Sequence, residues 1–395
     1  MACGTFCADV IATAHENITI RNTRIVSQSI AVFDGSSVTE LFHLCDTRLP
    51  ASVEREYNCA MANRVMNRTS RRNFLASTAA AAGCATLLRP AAAATAEPKL
   101  QGIFPIMQTP FTGSGALDLE TIAREVQFLH RVGAQGMTWP QMASEWPQLT
   151  FDERLAGAEK IVGTNKAADP QTRPAVVIGV QANDIETAVK YARHAEKIGP
   201  DAIIAIPLDQ GKDEAKQIEY YSAIGEACSR PLIVQTVGNM SVDLVLRMAK
   251  QIPTLRYAKD EAGATLPRLT DYAKRGQIMR GVFTGKHGPT FLDELARGAC
   301  GNMPAAGFAD LYVASWTAWT AGQHDQAMDI FSKTLLLITQ AQAYGVPGQK
   351  YMLQLRGVFT NTKSRRPEAG GQMLDDEAKE AIRRTMGYVK PWLKA

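Results

Sequence analysis

Short apolar runs rich in β-branched residues recur eight times along the chain, with helical segments between them. The runs occupy residues 102–108, 136–140, 175–180, 202–207, 232–237, 256–259, 278–283 and 301–304. Nearly continuous apolar runs of this length are typical of parallel strands that are buried on both faces. Eight strands alternating with helices favour an α/β fold, the closed (β/α)8 or TIM barrel. An open doubly wound sheet shares the alternation and is the alternative.

The segments between the runs begin and end with residues that favour helix termini. Asp118, Asp184 and Ser241 each precede apolar residues spaced three and four apart, as N-caps do. Gly133 and Gly199 follow two of these segments, at positions where the left-handed conformation is common. The sequence therefore predicts helices that start after residues 118, 184 and 241.

The chain stays helical after the eighth run. Helices are predicted over residues 308–321 and 325–343, followed by a turn at 345–348 and a last helix from Asp375. We therefore expect a barrel domain over residues 97–306. Additional C-terminal helices over 307–395 would complete the barrel and pack on it.

Residues 66–96 have the three parts of a twin-arginine export signal. Arg71 and Arg72 form the charged region, residues 76–88 a mildly apolar alanine-rich region, and Ala94-Thr95-Ala96 a small-x-small cleavage site. The apolar region is too short to span a membrane. This pattern predicts export to the periplasm, and a lipid anchor at Cys84 is the alternative.

The export signal does not stand at the start of the printed sequence. Residues 1–65 show no sustained periodicity and precede the paired arginines. Our interpretation is that translation begins at Met61 or Met66. On that reading, residues 1–65 are not part of the mature protein.

Composition excludes several classes of function. A net charge of +4 without a dense cluster of lysine and arginine does not indicate a nucleic-acid partner. No metal-ligand or cofactor motif is recognisable. After cleavage only Cys228 and Cys300 of seven cysteines would remain, both in apolar surroundings, so no disulfide framework is indicated.

Lys259 is the most reactive residue that the pattern singles out. It ends the sixth apolar run, and Asp260, Glu261 and a glycine-containing turn follow it. Catalytic residues of (β/α)8 barrels lie at the carboxyl ends of the strands. A lysine among apolar walls loses hydration, and its neutral amine can then form a Schiff base with a carbonyl compound. A surface lysine at a strand end is the alternative.

Four stretches, in this order, carry a resemblance to a known family. They are Phe-Pro-Ile-Met-Gln-Thr-Pro-Phe at 104–111, Ser-Glu and Leu-Thr-Phe-Asp-Glu-Arg within 144–154, Tyr-Ala-Lys-Asp-Glu-Ala-Gly at 257–263, and Gly-Ala-Cys-Gly at 298–301. From about Leu100 to the C-terminal helices, the chain resembles the dihydrodipicolinate synthase / N-acetylneuraminate lyase family of class I Schiff-base aldolases. It resembles a divergent, exported member.

The resemblance implies a (β/α)8 barrel with extra C-terminal helices, assembled as a homodimer or homotetramer. It also implies a lyase, an aldolase or a dehydratase, that acts on a 2-keto acid or a keto-deoxy sugar acid. The substrate would be held as a Schiff base on Lys259, without a metal or other cofactor.

The chain departs from the family where the substrate binds. Met142-Ala143-Ser144-Glu145 stands where the family has two hydroxyl residues before Gly-Glu, and those hydroxyls bind the substrate carboxylate. Asp209 stands where the family has its proton-relay tyrosine. Gln235 replaces a frequent tyrosine on the fifth strand, and His287 follows the seventh strand in a sequence unlike the family's.

These departures leave several assignments open. Lys259 is the expected nucleophile, with Asp209 or His287 moving protons. Thr109, Ser144 and Gln235 are the expected substrate-binding residues, although a threonine before a proline is equally a turn residue. Glu145, Asp260 and Glu261 are expected to be structural. A non-catalytic barrel that binds a small carbonyl compound or an anion is the alternative function.

Overall fold

The computed structural model describes residues 100–366 and 374–394. Within them, eight parallel strands form one sheet in the order β1-β8-β7-β6-β5-β4-β3-β2. The strands are β1 (Gly102–Ile103), β2 (Gly136–Trp139), β3 (Ala175–Gly179), β4 (Ala202–Ala205), β5 (Leu232–Gln235), β6 (Leu255–Asp260), β7 (Gly281–Thr284) and β8 (Gly301–Asn302).

The sheet closes between β1 and β2. Ile106 bridges Thr138 in parallel fashion, and the N–H of Met107 donates to the carbonyl oxygen of Thr138 over 3.0 Å. Pro105 cannot donate to a ladder, and the first predicted strand is regular only over its first two residues. The predicted (β/α)8 barrel is confirmed.

Helices follow the strands as the sequence predicts. They are α1 (Leu119–Val132), α2 (Phe151–Lys166), α3 (Ile185–Ile198), α4 (Glu214–Ala227), α5 (Val242–Gln251), α6 (Thr265–Lys274), α7 (Phe291–Ala296), α8 (Ala309–Thr320), α9 (His324–Leu355) and α10 (Asp376–Val389). None of these helices is long and apolar enough to cross a membrane. The side chains of Asp118, Asp184 and Ser241 each accept the N–H three residues on, which confirms all three N-caps.

The turn predicted at residues 345–348 is a kink instead of a break. Gly345 has φ 55° and ψ −149°, outside the helical region, and helix α9 continues from there to Leu355. Pro347 lies in the first turn after the kink, where its missing N–H costs little. The last helix begins after Asp375, whose side chain caps it as predicted.

A separate apolar cluster fills the inside of the barrel. Phe104 on the first strand segment and Phe283 on β7 meet edge to face, with ring centroids 4.9 Å apart. Gly136 lacks a side chain where a Cβ would lie 2.2 Å from the Phe104 ring. The other buried members are Leu100, Ile106, Val177, Ala202, Ile204, Ile233, Tyr257, Cys300 and Met303. The interior is therefore packed below the carboxyl ends of the strands.

Residues 361–366, which we call the strap, tie the C-terminal helices to the loop after β2. Glu145 on that loop is fully buried and accepts the N–H groups of Arg365 and Arg366, each over 2.8 Å. It also forms an ion pair with the buried amine of Lys350 on α9. Glu145 is structural, as predicted, and its backbone partners belong to the strap.

Arg365 anchors the strap from the other side. Its guanidinium pairs with both carboxylate oxygens of Glu153 over 2.6 and 2.7 Å and lies 4.3 Å from the ring centroid of Phe111. Hydrogen bonds from Arg365 lower the pKa of Glu153 to about 2. Arg365 therefore has fixed partners within the protein, although the short basic run that contains it is typical of a solvated loop.

We expect Glu145→Ala to lower the free energy of unfolding by about 3–5 kcal/mol, because it leaves the ammonium group of Lys350 buried without its partner. It also removes the acceptor of two partly buried N–H groups. Urea denaturation of the mature protein, followed by circular dichroism, measures the change.

Glu186→Ala is the matched control. Glu186 pairs with Lys190 on the exposed surface of α3, and surface pairs contribute little to stability. An unfolding midpoint of Glu145→Ala equal to that of this control would show that the buried pair does not hold the strap.

Candidate active site

Lys259 lies at the carboxyl end of β6 with its side chain directed into the barrel. Side chains alternate along a strand, so Tyr257 and Lys259 share the inner face, whereas Ala258 packs against the surrounding helices. Lys259 pairs in register with Gln235 on β5 and Phe283 on β7. It is 4 % exposed. A strand-end surface lysine is therefore not what the structure shows.

The amine of Lys259 contacts two polar side chains. Its Nζ lies 3.2 Å from Oε1 of Glu261 and 3.3 Å from Oε1 of Gln235. Nε2 of Gln235 in turn donates to Oε2 of Glu261 over 2.6 Å. The three side chains form a closed triangle in which the amine faces a carboxylate and an amide oxygen. Gln235 is thus at the site that the sequence predicts for it.

Glu261 is held in place from the neighbouring loop. The N–H of Lys286 donates to its Oε1 over 2.8 Å. Gly285 makes the approach possible, because a Cβ at residue 285 would lie 1.8 Å from that same oxygen. The carboxylate therefore occupies space that any side chain at position 285 would fill.

His287 follows in the same loop and belongs to the same electrostatic environment. Burial lowers its pKa to about 4, with Lys259 lowering it further and Glu261 opposing the shift. Its Nδ1 is buried and has no hydrogen-bond partner among the described residues. The imidazole is therefore neutral at neutral pH.

Asp260, next to Lys259, contacts residues outside the interior of the barrel. It points away from the barrel interior and pairs with Arg268 over 2.7 and 2.8 Å. Its Oδ1 also accepts the hydroxyls of Thr236 and Tyr272. Asp260 stabilises the strand ends, as the sequence predicts. Glu261, which the sequence assigns the same role, contacts the amine instead.

Asp209 does not lie at the amine. Its side chain is 67 % exposed, and its nearest cation is the Nζ of Lys216 at 4.0 Å. Asp209 and Gln210 both adopt left-handed backbone conformations, with φ 45° and 56°. They lie in the short helical turn that follows β4. The contacts therefore do not bring Asp209 to Lys259, and its predicted role as the replacement for the tyrosine has no geometric support.

Thr109 and Ser144 use their hydroxyls within the protein. The hydroxyl of Ser144 donates to the carbonyl oxygen of Met107 over 2.5 Å, and that of Thr109 donates to the carbonyl oxygen of Ser144 over 2.5 Å. Thr109 also accepts the indole N–H of Trp139. Neither hydroxyl therefore has a proton left to donate to a substrate carboxylate. In this arrangement both residues hold the loop after β2, and this corrects their predicted role in substrate binding.

Thr138 supplies a polar group that the sequence analysis missed. Met137 and Trp139 pack between the strands and the helices, so Thr138 on β2 faces the interior of the barrel. Its hydroxyl is buried and has no partner among the described residues. The alternation of side chains along β2 predicts that Thr138 faces the interior, whereas the family motif lies in the loop that follows the strand.

The part of the chain that the structure describes holds no group of three or more histidine, cysteine, aspartate or glutamate side chains able to bind a metal ion. Cys228 and Cys300 are both buried and unbridged. The amine of Lys259 is surrounded by a carboxylate, an amide and a neutral imidazole.

Comparison with known proteins gives consistent results. The model of the dihydrodipicolinate synthetase family matches residues 99–387. The L-2-keto-3-deoxyarabonate dehydratase of Azospirillum brasilense is 27 % identical over 280 residues, covering 68 % of this chain and 89 % of the relative. The 4-hydroxy-tetrahydrodipicolinate synthase of Rhizobium meliloti is 28 % identical over 273 residues, covering 66 % and 90 %.

The fold agrees with solved structures. The dihydrodipicolinate synthase of Rhodopseudomonas palustris superposes with a TM-score of 0.66 at 26 % identity, covering 73 % of this chain and 98 % of that one. The family match spans the barrel, its Lys259 strand and most of the C-terminal helices. The chain therefore belongs to the dihydrodipicolinate synthetase family.

Proposed function

We propose that the protein is a Schiff-base-forming lyase that acts on a 2-keto acid or a 2-keto-3-deoxy sugar acid, with Lys259 as its nucleophile. One observation carries the proposal. A nearly buried amine stands at the carboxyl end of a barrel strand, 3.2 Å from a carboxylate. This is the place where barrels perform chemistry, and the family match supports the reaction class.

The chemistry follows from the groups present. The amine of Lys259 attacks the C2 carbonyl of the keto acid, and loss of water gives an iminium ion. The positive nitrogen then accepts electrons from a bond at C3, which permits either carbon–carbon cleavage or elimination. Such covalent catalysis needs no metal or other cofactor.

A sugar-acid substrate fits better than pyruvate alone. The hydroxyls of Thr109 and Ser144 are engaged within the protein, so the carboxylate clamp that the resemblance implies is incomplete. Polar groups along a longer chain offer further contacts. The Azospirillum brasilense relative is named as a dehydratase of a 2-keto-3-deoxy sugar acid, which supports the same substrate class.

Borohydride reduction in the presence of substrate tests the nucleophile. We expect pyruvate and 2-keto-3-deoxypentonates to leave a reduced adduct on Lys259, located by intact mass and peptide mapping, and Lys259→Ala to abolish both the adduct and turnover. Lys286→Ala is the matched control, since Lys286 is a nearby lysine whose Nζ is 3.5 Å from the carbonyl oxygen of Gly263.

A folded wild-type protein that gives no adduct on Lys259 would contradict the proposal. Binding of a carbonyl compound that survives in Lys259→Ala would then favour the non-catalytic barrel.

We also propose that the protein is exported to the periplasm by the twin-arginine route. The signal that supports this lies at residues 66–96, outside the described residues. We expect replacement of Arg71 and Arg72 by lysine to retain the uncleaved precursor in the cytoplasm, because the paired arginines are the receptor-read part of the signal. Fractionation and N-terminal sequencing measure this.

The matched control for export replaces Arg89, which lies beyond the apolar region, with lysine and should leave export intact. Equal export of the two variants would contradict the proposal. A mature N-terminus at a lipidated Cys84 would favour the lipid anchor, and peptides from residues 1–60 in the precursor would overturn a start at Met61 or Met66.

We propose in addition that the chain forms a homodimer or homotetramer through α9. Met328, Leu335 and Leu336 on this helix are exposed. The first two are seven residues apart and so share a face. We expect Leu335→Glu with Leu336→Glu to dissociate the assembly, as measured by light scattering on a sizing column. The same mass in variant and wild type would contradict this interface.

A further inference from the structure

The residue predicted to carry protons at this site does not reach the amine. The residue at the tyrosine position, Asp209, lies in solvent, yet a Schiff-base lyase must move a proton near C3 of its substrate. Three side chains share the surroundings of the amine of Lys259: Glu261, Gln235 and His287. An amide does not exchange protons usefully near neutral pH, so Gln235 is excluded.

Glu261 is the better placed of the two that remain. Its carboxylate touches Nζ of Lys259, the atom that becomes the iminium nitrogen, at 3.2 Å. C3 of the bound substrate is two bonds from that nitrogen, so the carboxylate is within reach of its hydrogens. The charge of Lys259 lowers the pKa of His287, but no hydrogen bond between the two side chains occurs among the described residues.

The surroundings fix the orientation of the Glu261 carboxylate. Gln235 donates to Oε2 over 2.6 Å and the N–H of Lys286 donates to Oε1 over 2.8 Å. The space left by Gly285 receives the group. A carboxylate used only to neutralise the amine would not need these two additional donors. Both carboxylate oxygens are therefore held in a fixed orientation beside the amine.

We propose that Glu261 is the catalytic proton carrier and that it directs the Lys259 iminium toward elimination of water. This inference rests on the proposed Schiff-base function. The carboxylate takes a proton from C3, and the electrons of the C3–H bond move into the iminium to form an enamine. The resulting carboxylic acid gives the proton to the hydroxyl on C4, and that hydroxyl leaves as water.

The balance closes without another reactant. The substrate loses one hydrogen from C3 and one hydroxyl from C4, and Glu261 ends in its starting form. Water then hydrolyses the unsaturated iminium and frees the amine of Lys259.

A carboxyl group suits elimination better than cleavage. A carboxylic acid is a much stronger acid than a phenol, so it protonates a leaving hydroxyl more readily than a tyrosine does. For the same reason, its conjugate base is poorer at taking the proton of an alcohol, which is the step that starts carbon–carbon cleavage. Replacing the tyrosine by Glu261 therefore changes which bond breaks.

Two assays on the mature protein separate this role from the Schiff base itself. Borohydride trapping with pyruvate reports imine formation on Lys259, and NMR of the pyruvate methyl group in D₂O reports proton exchange at C3. We expect Glu261→Gln to form the adduct and to lose methyl exchange by about 10²–10⁴-fold, the usual contribution of a general acid–base group. Glutamine keeps an oxygen that can accept from Lys286.

Three further variants complete the test. Glu261→Asp should recover part of the exchange, and His287→Asn should keep it. Glu294→Gln is the matched control, since Glu294 is a buried carboxyl group bonded to Thr284 and Thr290 and not to the amine. With a 2-keto-3-deoxypentonate, the wild-type protein should release water and an unsaturated 5-hydroxy-2-keto acid, which becomes a 2,5-dioxo acid when a proton moves from C5 to C3, and it should form neither pyruvate nor glycolaldehyde.

The outcomes are distinguishable. If Glu261→Gln exchanges the methyl protons within tenfold of wild type, or if His287→Asn loses the exchange, then a group other than Glu261 carries the proton. Loss of the adduct in a folded Glu261→Gln would place Glu261 in imine formation instead. Release of pyruvate would refute the elimination, and an adduct missing from the wild type would overturn the proposed function as well.

Discussion

Closure of the eight-stranded parallel sheet is the constraint on which the site depends. In a closed parallel barrel, every second side chain points inward and all strands end at one rim. Register then pairs Lys259 on β6 with Gln235 on β5. The loop after β7 reaches the same point and supplies the N–H of Lys286. Residues far apart in the chain therefore meet at one amine, because the closed sheet fixes where each strand ends.

Two consecutive acids after that lysine face different surroundings, and the pleat of the strand separates them. Asp260 is fully committed to Arg268, Thr236 and Tyr272 on the outer side of β6. Glu261 turns back to the amine. The arginine therefore does not compete for the carboxylate that faces Lys259. The charge of the site is balanced locally, between two side chains that are both largely buried.

Local patterns in the sequence were sufficient to predict the strands and helices of the barrel. The caps at Asp118 and Asp184 and the lysine at the end of the sixth run all depend on neighbours within a few residues. The site was harder, because its contacts are long-range. Asp209 stands at the right place in the motif, but a left-handed turn carries it into solvent. The partner of Arg365, Glu153, lies more than 200 residues earlier in the chain, beyond any local pattern.

The empty space at Gly285 links two positions that no motif connects. A Cβ there would overlap the carboxylate oxygen of Glu261, so an acid at 261 and a side chain at 285 exclude each other. An acid at 261 therefore requires glycine at 285, whereas glycine at 285 does not require an acid at 261. A relative with an acid two residues after the lysine should therefore also have glycine at the position of Gly285.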